Sequence, residues 1–327
     1  MRRQVLFIAI LFCRRLCLNK PRSIIYFICF SFFLFSCRSA KEVYLFTSFH
    51  EPATSGLRML YSYDGYKWTD FDTVFLRPAI GQQKIMRDPS IAKGPDGTYH
   101  LVWTTEWNGG NGFGHASSKD LLHWSEQQYI PVMKYEDSVV NVWAPEIFYD
   151  DENSQFIIIW ASTIPYRFEK GAEEEKNNHR MYYTLTKDFK TFSEAKLFLD
   201  PGFSVIDCVI VKRGKNDYVL VLKDNTRPNR NIKVAFADNP LGPYSKPSES
   251  FTPNFTEGPT VAKVKDDYLI YYDQYRDKIY GAMKTKDFKA FTDITKEISV
   301  PKDHKHGTIF LSNKKIIKGL LKYSGKN

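Results

Sequence analysis

An Asp followed four residues later by an aromatic recurs along this chain: Asp64 and Trp68, Asp120 and Trp124, Asp188 and Phe192, Asp287 and Phe291. A looser copy joins Asp238 to Tyr244. Successive copies lie 56, 68, 50 and 49 residues apart. The flanking text repeats as well, as Ser-Lys-Asp-Leu-Leu-His-Trp-Ser from 118, Thr-Lys-Asp-Phe-Lys-Thr-Phe-Ser from 186 and Thr-Lys-Asp-Phe-Lys-Ala-Phe-Thr from 285. A period near 50 residues confines the chain to an array of like units, each burying its apolar face against its neighbours.

Each unit reads as four strands. A short strand (90–93, 147–149, 209–212, 260–264) leads through a polar turn into a β-rich run (99–104, 156–161, 218–222, 268–272). A third strand follows, and the Asp-x-x-x-aromatic segment is expected to be the fourth. The aromatic content, Phe 25, Tyr 20 and Trp 6, suits strands. Four antiparallel strands per unit make a propeller blade. Four complete units follow residue 86. The first unit, 43–71, lacks an innermost strand, and 306–310 looks like an innermost strand without a blade. The expected fold is therefore all-β, a five-bladed β-propeller closed by the two chain ends in one shared blade, which removes exposed edges. The competing fold is a β-sandwich with coincidental spacing. The charged insertion 168–179 interrupts one unit and reads as a solvated surface loop, with a substrate-contacting rim as the alternative.

The net charge of +9 arises largely in residues 1–36, which hold six basic residues and no acid. Of 46 basic residues, 40 then face 37 acids, a balance of +3 that excludes a charge-driven nucleic-acid or membrane-surface role. Residues 1–36 read as an export signal. The apolar run 24–35 falls short of the ~20 residues a membrane span needs, and an uncleaved anchor is the alternative. The run ends in Leu34-Phe35-Ser36-Cys37, which resembles the bacterial lipoprotein box whose cysteine is lipidated. Residues 37–41 would be a short tether and 42–327 the propeller, exported to the periplasm or cell surface. Cys208 is the single cysteine beyond Cys37, so the body has neither an internal disulfide nor zinc-ligand spacing.

First residues of innermost strands emerge together at one mouth of a propeller. Here they read Arg87-Asp88-Pro89, Ala144-Pro145-Glu146, Ile206-Asp207-Cys208, Glu257-Gly258-Pro259 and His306-Gly307. An Asp at a strand start is ordinarily a turn residue, but acids at the same step of three or more units converge on one axis. Like charges held together raise the pKa of one of them. Two carboxylates with different proton affinities are the minimum for hydrolysing a glycosidic bond.

These motifs, in this order, resemble glycoside hydrolase family 43, five-bladed propeller enzymes acting on arabinosides and xylosides. The resemblance runs from about 43 to 310. It rests on Arg-Asp-Pro-Ser-Ile at 87–91, Val-Trp-Ala-Pro-Glu-Ile at 142–147, Val-Ile-Asp at 205–207, Thr-Glu-Gly-Pro at 256–259 and His-Gly at 306–307. It implies Asp88 as general base, Asp207 as the residue tuning and orienting the acid, and Glu257 as general acid, with inversion at the anomeric carbon. Glu257 is then expected to be protonated, held so by the charges of Asp207 and Asp88. Cys208 departs from the family pattern. His306 matches a histidine beneath the sugar that can join a hydrated calcium; no cofactor is otherwise required, and the chain shows no dedicated calcium loop. Glu146 is expected on the substrate wall.

Second strands should end at the active mouth, making 49–54, 105–112, 162–179, 224–230 and 273–277 the rim. Trp107 and Trp143 are the expected sugar platforms. The glycines at 109, 110 and 112 are no phosphate cradle, because no helix follows them. The function expected is a monomeric, lipid-anchored glycosidase releasing terminal α-L-arabinofuranose or β-D-xylose. The alternatives are a non-catalytic glycan-binding propeller and a related enzyme cutting galactan or fructan. Export makes a direct prediction: mass spectrometry of the membrane-extracted protein should find a diacylglyceryl group on Cys37. An intact Met1 form in that fraction would refute lipidation.

Overall fold

The computed structural model describes residues 42–326. The signal segment, Cys37 and the tether lie outside them. The described chain forms five antiparallel sheets arranged as a five-bladed β-propeller, four sheets of four strands and one of three. The second blade comprises Arg87–Lys93, Tyr99–Thr104, Phe113–Ser118 and Gln128–Ile130. The third comprises Trp143–Asp150, Gln155–Ser162, Arg180–Thr186 and Lys196–Leu199. Val205–Gly214, Asp217–Asp224 and Asn231–Ala237 make the fourth. Thr256–Val264, Asp267–Gln274, Ile279–Thr285 and Thr292–Asp293 make the fifth.

The first blade joins the two ends of the domain. Ile309–Ser312 pairs antiparallel with Val43–Ser48, from Val43 opposite Ser312 to Phe46 opposite Ile309, and Arg58–Ser62 and Thr69–Asp70 complete the sheet. The approach is tight at Gly307, where a Cβ would stand 2.1 Å from the Thr47 carbonyl oxygen.

The second strands carry long apolar runs because both of their faces are buried. Side chains alternate across a strand, so neighbouring residues enter different blade interfaces. Ile157 and Ile159 pack between the third and fourth blades, while Ile158 and Trp160 pack between the second and third. Leu220 and Leu222 face the third blade; Val219 and Val221 join Ile270 and Tyr272 of the fifth. Leu269 and Tyr271 in turn meet Phe46 and Leu60 of the first.

The repeated Asp motif is a turn, not the expected fourth strand. In four copies the Asp Oδ1 accepts two backbone N–H groups at 2.7–3.1 Å: from Tyr66 and Lys67, Leu122 and His123, Lys190 and Thr191, Lys289 and Ala290. The hydroxyl two residues earlier (Ser62, Ser118, Thr186 or Thr285) accepts the N–H of the residue after the Asp. That residue is left-handed in each copy: Gly65, Leu121, Phe189 and Phe288. Side-chain acceptors serve backbone donors that a strand would have paired, so the chain turns. The aromatic then pins the turn to a blade interface, and the outermost strand comes after it.

The fourth blade lacks a regular outer strand. Pro240, Pro243 and Pro247 remove N–H groups from the segment that would form it. That segment touches its neighbour only at intervals, as Ser245 and Ser248 donate backbone N–H groups to Phe236 and Val234. A further element escaped the repeat pattern, the C-terminal helix Lys314–Tyr323. Asn313 caps it by accepting the N–H groups of Lys315 and Ile316. Ile316, Ile317 and Leu320 enter the core beside Leu57, Phe71 and Phe75 of the first blade.

The insertion is exposed at residues 169–172, 174 and 176, as a surface loop would be, but it is anchored at Glu173. Glu173 is buried and accepts the Arg227 N–H at 2.8 Å, with the Arg230 guanidinium 3.8 Å away. Buried Arg180 ties its base, donating to Asp200 at 2.5 Å and Asn178 at 2.8 Å.

Because the ring is closed by noncovalent pairing alone, deleting the residues after Lys302 removes the closing strand and the helix together. The truncated domain should lose its cooperative melting transition. A truncated protein melting like the full chain would refute closure by the ends.

Candidate active site

Four innermost strands share one irregularity. Their pairing with the second strand slips between Arg87 and Ser90, Trp143 and Glu146, Ile206 and Val209, and Glu257 and Thr260. The residue inside each slip is left-handed: Asp88 (φ 50°), Ala144 (φ 45°), Asp207 (φ 52°) and Gly258 (φ 54°). Bulges of this kind re-aim a side chain, and Asp tolerates the conformation better than most residues. Holding a non-glycine residue there costs about 1–3 kcal/mol. In the fifth blade glycine is obligatory, since a Cβ on Gly258 would sit 1.9 Å from the His306 ring. The carboxylate there comes from the preceding residue, Glu257.

The slips bring Asp88, Asp207, His306 and Glu146 around one cavity of about 30 Å³, room for a water molecule. His306 Nε2 lies 2.9 Å from Asp88 Oδ1. Asp88 Oδ2 accepts the Thr104 hydroxyl at 2.7 Å, and that hydroxyl accepts the Ala144 N–H at 2.8 Å. Asp207 Oδ2 accepts the Gly258 N–H at 3.0 Å. Lys223, from the second strand of the fourth blade, donates to Glu257 Oε2 at 2.9 Å. Lys305 donates to Asp273 at 2.8 Å. The His306 Nδ1 is 3.8 Å from Asp273 Oδ2, a charge contact too long for a hydrogen bond.

These contacts divide the carboxylates. Burial pushes the Asp88 carboxyl up, but the His306 hydrogen bond and charge, with Arg87 and Thr104, outweigh it and hold Asp88 below the ordinary range. Burial raises Asp207; Lys223 and His306 pull it down, Glu257 and Asp88 push it up, and the net direction is upward. Burial would raise Glu257 too, but Lys223 and His306 overcome it and hold its carboxyl low. His306 moves the other way. Burial lowers it, and the carboxylates of Asp273 and Asp88 more than reverse this, so the imidazolium is favoured.

The expectation that Glu257 rests protonated is therefore corrected. The cause is Lys223, whose side chain is 2% exposed and which sequence reasoning missed. A lysine inside the apolar strand Asp217–Asp224 was the available signal. Asp273 and Lys305 were missed as charges too, although both border segments already singled out.

Glu146 lies two residues beyond its bulge and lines the same small cavity as Asp88 and Asp207. Burial raises it to about 7, with partial relief from Ser90 and Thr308. Thr308 Oγ1 is 3.4 Å from Glu146 Oε2. Trp107 and Trp143 form one stacked unit, 4.8 Å between ring centres, and Trp143 Nε1 donates to the Trp107 carbonyl at 3.0 Å. Trp143 also stacks on His179 at 5.2 Å, and the Arg87 guanidinium lies 4.5 Å from the Trp107 ring centre. Trp107 is 47% exposed and forms the accessible end of this wall. Cys208 is buried between the third and fourth blades, and burial pushes its thiol well up, which keeps it unreactive.

Glu257, Asp273 and His306 come close enough to hold an ion, but three such donors would leave most of a calcium shell to water. That ion takes six to eight oxygens. Here the carboxylates already face ammonium groups at 2.8–2.9 Å, and His306 Nε2 is engaged with Asp88.

The ion pair at Glu257 yields a prediction. Lys223→Met keeps much of the stem volume and removes the cation. The Glu257 carboxyl, followed by carbon-13 NMR, should then titrate at higher pH than in the parent protein. An unmoved titration would mean that Lys223 does not control this carboxyl.

Residues 40–315 match a family described as a probable glycosyl hydrolase domain, related to glycosyl hydrolase family 43. An alpha-L-arabinofuranosidase of Bifidobacterium longum subsp. longum is 30% identical over 80 residues, a stretch spanning 22% of this chain and 7% of that protein. The fold is similar to that of a thermostable family-43 glycoside hydrolase, with a TM-score of 0.51, 16% identity, and coverage of 64% of this chain and 71% of that one. It is similar also to that of the RS223 beta-xylosidase, with a TM-score of 0.51, 10% identity, and coverage of 64% and 77%.

Proposed function

Because the chain belongs to the glycosyl hydrolase domains related to family 43, we propose that it is an inverting glycosidase releasing terminal α-L-arabinofuranosyl or β-D-xylosyl units. The observation that carries this reading is the unequal treatment of carboxylates converging from separate blades. Asp88 is held ionised with both oxygens engaged, Asp207 has the raised affinity for a proton, and Glu257 is the most accessible of the three. Its side chain is 24% exposed, against 12% for Asp88.

Water attacks the anomeric carbon and passes a proton to Asp88. Glu257 gives a proton to the leaving glycosidic oxygen as the bond to carbon breaks. The products are the inverted free sugar and an alcohol. His306 steadies the ionised base through its 2.9 Å contact. Asp207 holds the Gly258 N–H, which fixes the strand start that carries Glu257. Lys223 opposes protonation of Glu257 before substrate binds, so bound substrate must shift the balance. An acceptor oxygen brought beside Glu257 and the expulsion of water both favour the proton-bearing form. The stacked Trp107–Trp143 wall offers an apolar surface to a sugar ring. Export and a lipid anchor at Cys37 would place this chemistry on the outer side of a membrane, on oligosaccharides or polysaccharide side chains.

Glu257→Gln should cost about 10²–10⁴-fold on natural oligosaccharides, which need the acid. It should cost far less on aryl glycosides with good leaving groups. Asp88→Asn should damage both, because both need the activated water. Equal loss on both substrate types in Glu257→Gln would remove Glu257 from the acid role. A wild-type protein inert on arabinan, arabinoxylan, galactan and aryl glycosides would favour a glycan-binding propeller.

A further inference from the structure

A second cluster of ligating side chains lies beside the rim. His50 follows the strand Val43–Ser48, Asp70 ends the outermost strand of the same blade, and His304 stands just ahead of the closing strand. One donor atom from each lies within 4.8 Å of the other two. His304 Nε2 is 3.0 Å from Asp70 Oδ2. Two donors each about 2.0–2.2 Å from one metal ion are themselves roughly 3.0–3.5 Å apart. This pair already has that spacing.

Two of the three ligands are oriented by neighbours. Ser48 Oγ lies 2.6 Å from His304 Nδ1, and Asp70 Oδ1 accepts the Asp72 N–H at 2.8 Å, which leaves Oδ2 for the cluster. Outer hydrogen bonds of this kind fix the tautomer and aim of metal-binding imidazoles and carboxylates. His50 is different. Its ring centre is 4.4 Å from that of His304, and its Nε2 is buried without a hydrogen-bond partner among the described residues. A Ser48–His304–Asp70 hydrogen-bonded tie accounts for the other two residues and leaves His50 without a role. Burial, His304 and Arg58 disfavour a positive charge on the His50 ring and outweigh Asp70 and Asp303, which favour one, so its pKa falls to about 4 and the ring stays neutral. A cavity of about 690 Å³, lined by His50, Asp303 and His304 among others, gives access.

We propose that His50, Asp70 and His304 bind a divalent cation of the zinc class. Two imidazoles and one carboxylate suit borderline first-row ions rather than calcium or magnesium, with water completing the coordination. The ion would bridge residues from both ends of the domain. It would also stiffen the rim, since Glu51, next to His50, holds Arg87 at 2.8 and 2.9 Å, and Arg87 adjoins Asp88.

The test uses the whole chain stripped with a chelator, then titrated with zinc by calorimetry and with cobalt by visible absorption. One ion per chain, a cobalt ligand-field band and a zinc-dependent rise in melting temperature are expected. His50→Phe keeps an aromatic ring and removes the donor; it should abolish the cobalt band and the zinc-dependent rise while the metal-free protein melts as before. Ser48→Ala, which removes an orienting contact, should weaken zinc binding by about 10–100-fold. Wild-type protein that binds no zinc overturns the proposal. So does binding that survives His50→Phe, or that is lost instead in Asp273→Asn, which would place the ion among the carboxylates of the channel.

Discussion

The pairing of Ile309–Ser312 with Val43–Ser48 is the contact on which the rest of this molecule depends. A propeller has no central core of its own. Its apolar side chains are distributed over the interfaces between blades, and each blade is held by two neighbours. Opening one interface exposes both adjacent faces, so the ring is stable as a whole. The same pairing delivers His306 to the axis, where its ring meets Asp88 from the second blade, and seats Thr308 against Ser90 at 3.0 Å. Closure and assembly of the site are thus one event. Gly307 allows it, because the closing strand approaches Thr47 too tightly for any side chain.

The site is then a matter of charge placement. Acids delivered to one axis repel each other, and burial makes each charge harder to hold. The chain answers with cations of different reach. His306 is shared between Asp88 and Asp273, Lys223 reaches Glu257, and Lys305 reaches Asp273. Removing one member of such a buried pair costs about 3–5 kcal/mol, because the remaining charge is stranded. Among the described residues Asp207 has a backbone N–H but no cation of its own at hydrogen-bonding distance. Burial therefore raises its carboxyl, and the charges of Glu257 and Asp88 add to the rise.

Much of the fold was legible because a repeat multiplies weak signals. No single strand of this chain is distinctive, yet strand-turn-strand text recurring near every 50 residues admits few architectures, and the missing innermost strand at one end had its complement at the other. The motif that made the repeat visible was misread as a strand because its function is local. An Asp carboxylate serving two backbone donors looks, in sequence, like any Asp before an aromatic. The short or absent outer strands are legible only through prolines and serines that change hydrogen-bond partners. In the site, the acids and His306 were visible because they share one step of the repeat. Lys223, Asp273 and Lys305 were not, because they come from second strands and from the loop before the closing strand, and which ends meet depends on closure. The protonation expected for Glu257 failed for that reason: it counted the neighbouring acids without the cation that faces them.

The four bulges show how such a scaffold assigns chemistry to blades without altering them. Asp88, Ala144, Asp207 and Gly258 occupy one structural position, with the same slip in pairing and the same left-handed backbone. The position is a fixed pointer toward the axis, and the residue placed on it decides what the axis receives. Asp brings a carboxylate. Alanine brings almost nothing, and its backbone N–H is spent on Thr104, which in turn holds Asp88. Glycine clears the space that the His306 ring fills and passes the carboxylate back one residue, to where Glu257 is more exposed. Strain at the two aspartates is repeated because the bulge that causes it also does the aiming. Relieving it would turn the carboxylates away from the axis. The accessible acid lies on the one blade where the pointer is glycine, so difference in exposure among the acids, and with it their division of labour, follows from the residue chosen at a single repeated position.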